Sequence, residues 1–185
     1  MEREPNEDWQ RCQILFTIVP LSKRLCVGKD RSLRCLSDTG RYKLAYGDFH
    51  LRPNNIYSFT FLIINAFNVK LGVVEKTVVE RLAAEKNFRK TVFSEKDKFL
   101  VLSSTGKIER IKSSFIDEHL CRNFAALDKV TTFVDTYNGR VQFLLNGKDQ
   151  YKSFVLPRLK TNVHCPIIFV LGQNVKIKLI PFYAP

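Results

Sequence analysis

Residues Asp128–Gly147 read Asp-Lys-Val-Thr-Thr-Phe-Val-Asp-Thr-Tyr-Asn-Gly-Arg-Val-Gln-Phe-Leu-Leu-Asn-Gly. Val130, Thr132 and Val134 alternate with Thr131, Phe133 and Asp135, the two-residue period of a strand. Asn138-Gly139 predicts a tight hairpin turn, since both residue types tolerate the positive φ angles such turns need. The returning run places Val141, Phe143 and Leu145 on one face and Arg140 and Gln142 on the other. A second Asn-Gly, Asn146-Gly147, precedes a third alternating run through Tyr151, Ser153 and Val155. The expectation is a three-stranded antiparallel meander.

The same alternation extends outward in both directions. Ile56–Ile64 sets Tyr57, Phe59, Phe61 and Ile63 against Ser58, Thr60 and Leu62, and Phe67, Val69, Leu71 and Val73 follow after Asn65-Ala66. Shorter runs are expected as strands at Cys12–Val19 (stopped by Pro20), Arg24–Val27, Ser32–Leu36, Tyr42–Tyr46, Phe99–Ser103 and Ile108–Lys112. Val163–Leu171 and Val175–Phe182 close the chain around Gly172-Gln173-Asn174. Glu75–Lys90 differs in texture: Val78, Val79, Leu82, Ala83 and Phe88 among charges suit a short amphipathic helix in a long crossing loop. Ser114–Leu127 has the capping residues for a second one. The sequence therefore predicts an all-β domain with one or two short helices in its loops. Residues 1–10 form an acidic tail, and 11–185 form a single domain.

Several of these segments resemble the SPRY (B30.2-type) family. The meander is similar to its signature hairpin at Asp128, Val130, Val134, Asp135, Gly139, Val141, Phe143, Asn146 and Gly147, with Thr131 and Thr132 where members usually carry Gly. Leu25–Leu36, the pair ending Leu71-Gly72-Val73-Val74, and Cys165-Pro166-Ile167-Ile168 followed by Val175, Ile177 and Leu179 are similar to further family segments, in the same order. The resemblance spans roughly residues 20–183. It implies a bent, jelly-roll type antiparallel β-sandwich that binds peptides or folded proteins through loops at one end, without enzymatic activity.

Composition narrows the function. The 185 residues include 45% apolar ones, enough for one full hydrophobic core. No apolar run is long enough to cross a bilayer as a helix. Met1–Asp8 is acidic and does not read as a secretory signal. Five cysteines without a Cys-x-x-Cys pair read as reduced thiols of a cytoplasmic or nuclear protein. The chain has no Gly-x-Ser-x-Gly elbow, Gly-rich phosphate loop or His-Glu-x-x-His, and His119-Leu120-Cys121 lacks the second ligand pair of a zinc site. The expectation is a non-enzyme with neither metal nor cofactor.

By position, the resemblance points to three partner-binding loops: Lys23–Arg24, Glu75–Arg89 (with Phe88 and Arg89) and Arg158–His164 (with Arg158, Lys160, Asn162 and His164). These mix aromatic, basic and amide groups, which suit a protein or peptide partner with an acidic or polar segment. The net charge of +12 supports an alternative. Trp9–Lys29 and Tyr151–Pro185 contain no acid, and if the two segments merged into one Lys/Arg face the chain would bind nucleic acid. The short length suits a monomer or a subunit of a larger complex.

Overall fold

Backbone alternation becomes two stacked sheets. The computed structural model describes residues 12–37, 40–65, 68–84, 98–109, 123–149 and 153–181. Its first strands are β1 (Ile18–Pro20), β2 (Leu25–Val27), β3 (Ser32–Cys35), β4 (Lys43–Gly47), β5 (Ile56–Asn65) and β6 (Asn68–Glu75). The helix α1 (Lys76–Ala84) follows, then β7 (Phe99–Ser103), β8 (Ile108–Glu109), β9 (Lys129–Asp135) and β10 (Arg140–Leu145). The chain finishes with β11 (Lys148–Asp149), β12 (Phe154–Val155), a 3-10 turn (Pro157–Lys160), β13 (His164–Leu171) and β14 (Lys176–Ile180). One sheet runs β1-β4-β13-β6-β7-β8; the other runs β11-β10-β9-β5-β14-β3-β2, with β12 also on β10. All strand pairs are antiparallel.

The main core lies between the sheets. Phe59, Phe61 and Ile63 of β5 and Val130 and Val134 of β9 face Val69, Leu71 and Val73 of β6 and Ile168 and Val170 of β13. Phe16 enters edge-on against Phe59 and Phe61, with ring centres 5.6 and 6.1 Å away. A second core covers the outer face of the six-stranded sheet. There Val78, Val79 and Leu82 of α1 join Val74, Phe99, Val101, Cys165, Ile167 and Phe169. Each such buried side chain contributes roughly 2 kcal/mol before entropic costs. Burial on both faces explains why Ile167–Val170 is an unbroken apolar run rather than an alternating one. At Gly72 the sheet leaves no room for a side chain: a Cβ would sit 1.9 Å from the Leu100 carbonyl oxygen.

The structure departs from the sequence expectations at definite points. β1 spans Ile18–Pro20 instead of Cys12–Val19, because residues 12–17 pass between the sheets: Ile14 donates to the Ser58 carbonyl, and Asp48 to that of Thr17. Pro20 lies within this strand because β1 is at a sheet edge, where a missing N–H costs nothing. β5 and β6, although consecutive, sit in opposite sheets, as do β13 and β14. The third run of the meander is split into β11 and β12, which both pair with β10; Tyr151 lies outside the described residues.

Asn146 and Gly147 both take positive φ (54° and 73°), as the tight turn requires. The other turn is looser. Only Gly139 is positive (67°), and four residues, 136–139, connect β9 to β10. The Asp135 carboxylate fixes this turn by accepting from the Asn138 backbone N–H (2.9 Å) and side-chain amide (2.7 Å). The first expected helix is α1; most of the second lies outside the described residues, and 123–127 is not helical.

Candidate functional site

Strand register gathers four connections at one end of the sandwich. Glu75 ends β6 opposite His164, which begins β13, and His164 exchanges backbone bonds of 3.1 and 2.8 Å with Leu51. In the other sheet Ile56 begins β5 opposite Asp135, Asp135 pairs with Arg140, and Arg140 pairs with Val155. Residues 48–55, 75–77, 136–139 and 156–163 therefore converge. Thr136 latches two of these loops together. Its backbone N–H donates to the Asn55 carbonyl (2.9 Å), and its buried hydroxyl oxygen accepts the Asn55 N–H (2.8 Å) and reaches the Asn55 and Arg52 carbonyls at 2.7 and 2.9 Å. Leu156 N–H bonds to the Gly139 carbonyl, bringing the third loop alongside.

Glu75 anchors the 3-10 turn. Its side chain is 3% exposed and accepts from Arg158 Nε (2.7 Å) and Nη2 (3.3 Å) and from Thr77 Oγ1 (2.9 Å), with Lys98 Nζ 3.9 Å away. Burial alone would raise this carboxyl; bonds from Arg158, Thr77 and Asn162 outweigh it and hold the group at about 2. His164 is fully buried, with Nδ1 2.9 Å from the Asn162 carbonyl and no partner for Nε2 among the described residues. Donation from Nδ1 leaves Nε2 as the unprotonated nitrogen. Burial pushes the pKa of His164 down, and burial pushes the neighbouring Cys165 thiol up to about 12. Among the described residues no group of three His, Cys, Asp or Glu side chains could hold a metal ion.

What this end presents to solvent is contact area. Ile56 (50% exposed), Tyr137 (68%) and Val155 (50%) are large apolar side chains left uncovered. They belong to a single cross-strand row, Ile56–Asp135–Arg140–Val155, with Tyr137 at the hairpin tip. Asp135 and Arg140 lie between Ile56 and Val155 in that row, and Arg52 and Lys160 are also exposed at this end. Sheet edges and loop tips of this kind suit docking, with exposed apolar side chains interleaved with charged ones.

The residues expected from sequence are not all brought together. Lys160 is exposed at this end, Asn162 is half-buried there, and Arg158 is committed to Glu75. His164 is a correction: it faces inward in step with Pro166 and Ile168 beneath Leu51, so it offers no surface. Lys23 and Arg24 are exposed at the opposite end. Leu21 and Ser22 bond to the Leu44 carbonyl, at the level of Phe169. The distance along β13 from His164 to that level is about 17 Å at 3.3–3.4 Å per residue. Phe88 and Arg89 lie outside the described residues.

The expected single basic face also divides. Arg24, Lys176 and Lys178 lie toward the far end with Arg34, whereas Arg158 and Lys160 occupy the loop end. Asp30, one residue beyond the acid-free segment, bridges Lys176 (2.8 Å) and Arg34 (3.1 Å), and Lys176, Ser32 and Arg34 hold its carboxyl far below the ordinary range. Sequence reading missed Thr136, Ile56 and Tyr137, and it had Glu75 only as the start of a candidate loop. Only Ile56 carried a usable signal, since it shares the outward parity of Ser58 and Thr60.

No protein-family model matches the chain, and no curated protein matches its sequence. Solved structures do match. The SPRY domain of human HERC1 superposes with a TM-score of 0.65 at 12% identity, covering 91% of this chain and 97% of that one. A human SPRY domain gives 0.64 at 12% identity over 88% of this chain and 98% of its own. The TRIM65 PSpry domain gives 0.64 at 10% identity, covering 94% and 93%. The chain has the SPRY fold.

Proposed function

We infer that this protein is a non-enzymatic interaction module that binds a partner protein or peptide through the loops at the Thr136 end of the sandwich. The observation that carries this reading is the uncovered row Ile56–Val155 with Tyr137 at its tip, held on loops whose backbones are already fixed. A prefixed surface loses little entropy on association, and large apolar or aromatic anchors supply most of the energy of an interface. Exposed Arg52, Arg140 and Lys160 at the same end favour a partner segment with acidic or polar groups.

The test is affinity purification with mass spectrometry under nuclease treatment, comparing the wild type with Ile56→Asp/Tyr137→Ala. The reading expects specific partners to drop out of the variant's list while its melting temperature holds. An identical list from both proteins overturns it.

A further inference from the structure

The opposite end of the eight-stranded sheet carries a second surface of different chemistry. Leu33 and Cys35 of β3 and Ile177 of β14 face the core, so Arg34, Lys176 and Lys178 project outward. The same parity turns Lys129 of β9 outward, opposite the half-buried Leu62 of β5, because Val130 and Phe61 are inward. Arg24 continues the β2 position at this end, donating to Ser37 Oγ at 3.1 Å. The register lines these groups up: Arg34 opposes Lys176, and Lys178 opposes Leu62, which opposes Lys129.

Among the described residues, five cations from non-contiguous parts of the chain thus share one face, and two carboxylates border it. Asp30 is already shared between Arg34 and Lys176, and Asp128 is occupied by the Ala125 N–H and the Asn146 amide. Lys129 and Lys178 make no ion pair among the described residues. From β2 to β9 the face crosses five strands, about 19 Å at 4.7–4.9 Å per step.

We propose that this face binds the phosphate backbone of a nucleic acid. The juxtaposition of Arg24, Arg34, Lys129, Lys176 and Lys178 on one sheet face is its basis. Binding is independent of base sequence, because contacts of Lys and Arg with phosphates carry no sequence information. The surface is separate from the apolar row at the loop end, and the two functions stand or fall separately.

The experiment is fluorescence anisotropy with a labelled mixed-sequence 20-nucleotide single-stranded RNA over a range of salt concentrations, using the full chain. About four to five phosphate contacts predict a slope of log K against log salt near −3. Lys129→Ala/Lys178→Ala should bring that slope closer to zero by about 1.4 and weaken binding at low salt by tenfold or more. Arg140→Ala/Lys160→Ala, at the other end, should bind like the wild type, and a scrambled RNA should bind equally well. Circular dichroism melts confirm that both variants fold. Unaltered binding by Lys129→Ala/Lys178→Ala overturns the proposal. So does an equal loss in Arg140→Ala/Lys160→Ala, or an equally tight, equally salt-sensitive complex with polyglutamate, which would make the face a site for acidic protein.

Discussion

Replacing Arg158 by Ala strips the buried Glu75 carboxylate of its 2.7 and 3.3 Å bonds and leaves Asn162, Thr77 at 2.9 Å and Lys98 at 3.9 Å. The folded environment holds that carboxyl at about 2, down from 4.5. At roughly 1.4 kcal/mol per pH unit, this drop sets a ceiling of roughly 3 kcal/mol on what the environment contributes. Arg158 is 42% exposed, so water screens part of the pair and the expected cost of Arg158→Ala is about 2 kcal/mol.

The sign of the pH dependence follows from a depressed carboxyl. The stabilisation is complete above pH 4.5 and disappears as pH falls through about 2. Urea denaturation of wild type and Arg158→Ala between pH 7 and 2 reads both quantities, and the variant should show a shallower acid limb. Glu75→Gln in the Arg158→Ala background removes the stranded charge and should recover about 1 kcal/mol. A cost below about 0.5 kcal/mol for Arg158→Ala, or a double variant no more stable than the single, refutes the reasoning.

Other consequences are as direct. Gly72→Ala drives a Cβ to within 1.9 Å of the Leu100 carbonyl and 2.8 Å of Val101 Cα, and should cost about 3 kcal/mol or more in urea denaturation or leave the protein insoluble. Burial lowers the pKa of His164, so the unfolded chain takes up a proton first and stability should fall as pH drops below 6.5; His164→Phe should flatten that segment of the curve. With its thiol pushed up to about 12, Cys165 should resist iodoacetamide at pH 8 until denaturant is added, while half-buried Cys26 reacts in the folded protein; peptide mapping distinguishes them. Tyr137→Ala should leave the urea midpoint unchanged, since its side chain is 68% exposed.

The fold was legible where local chemistry decides it. Asn146-Gly147 needs two positive φ angles, and few other residue types supply them; the alternation around Phe59 and Phe61 admits one inward face. What could not be read was long-range. Nothing in Ile56–Val74 states that the chain changes sheets at residues 65–68, because each strand shows only its own parity. Arg158 looked like a free loop cation because its acid lies 83 residues upstream. His164 fell in both the expected strand Val163–Leu171 and the candidate loop Arg158–His164, and parity alone did not say which way its ring turns; β13 begins at His164, and β6 accepts Pro166 opposite Val73. At the candidate site, Lys160 was found from sequence, whereas Tyr137 sits in a turn that could have pointed anywhere.

The Thr136 latch has an evolutionary corollary. It grips Asn55 and Arg52 through main-chain atoms, which every amino acid but proline carries in full, and asks nothing of the side chains those residues display. The framework and the face it exhibits are thereby uncoupled. Positions 52 and 137, both exposed, are free to diversify without unfolding the domain, so a library randomised there should yield mostly folded proteins with new ligand preferences.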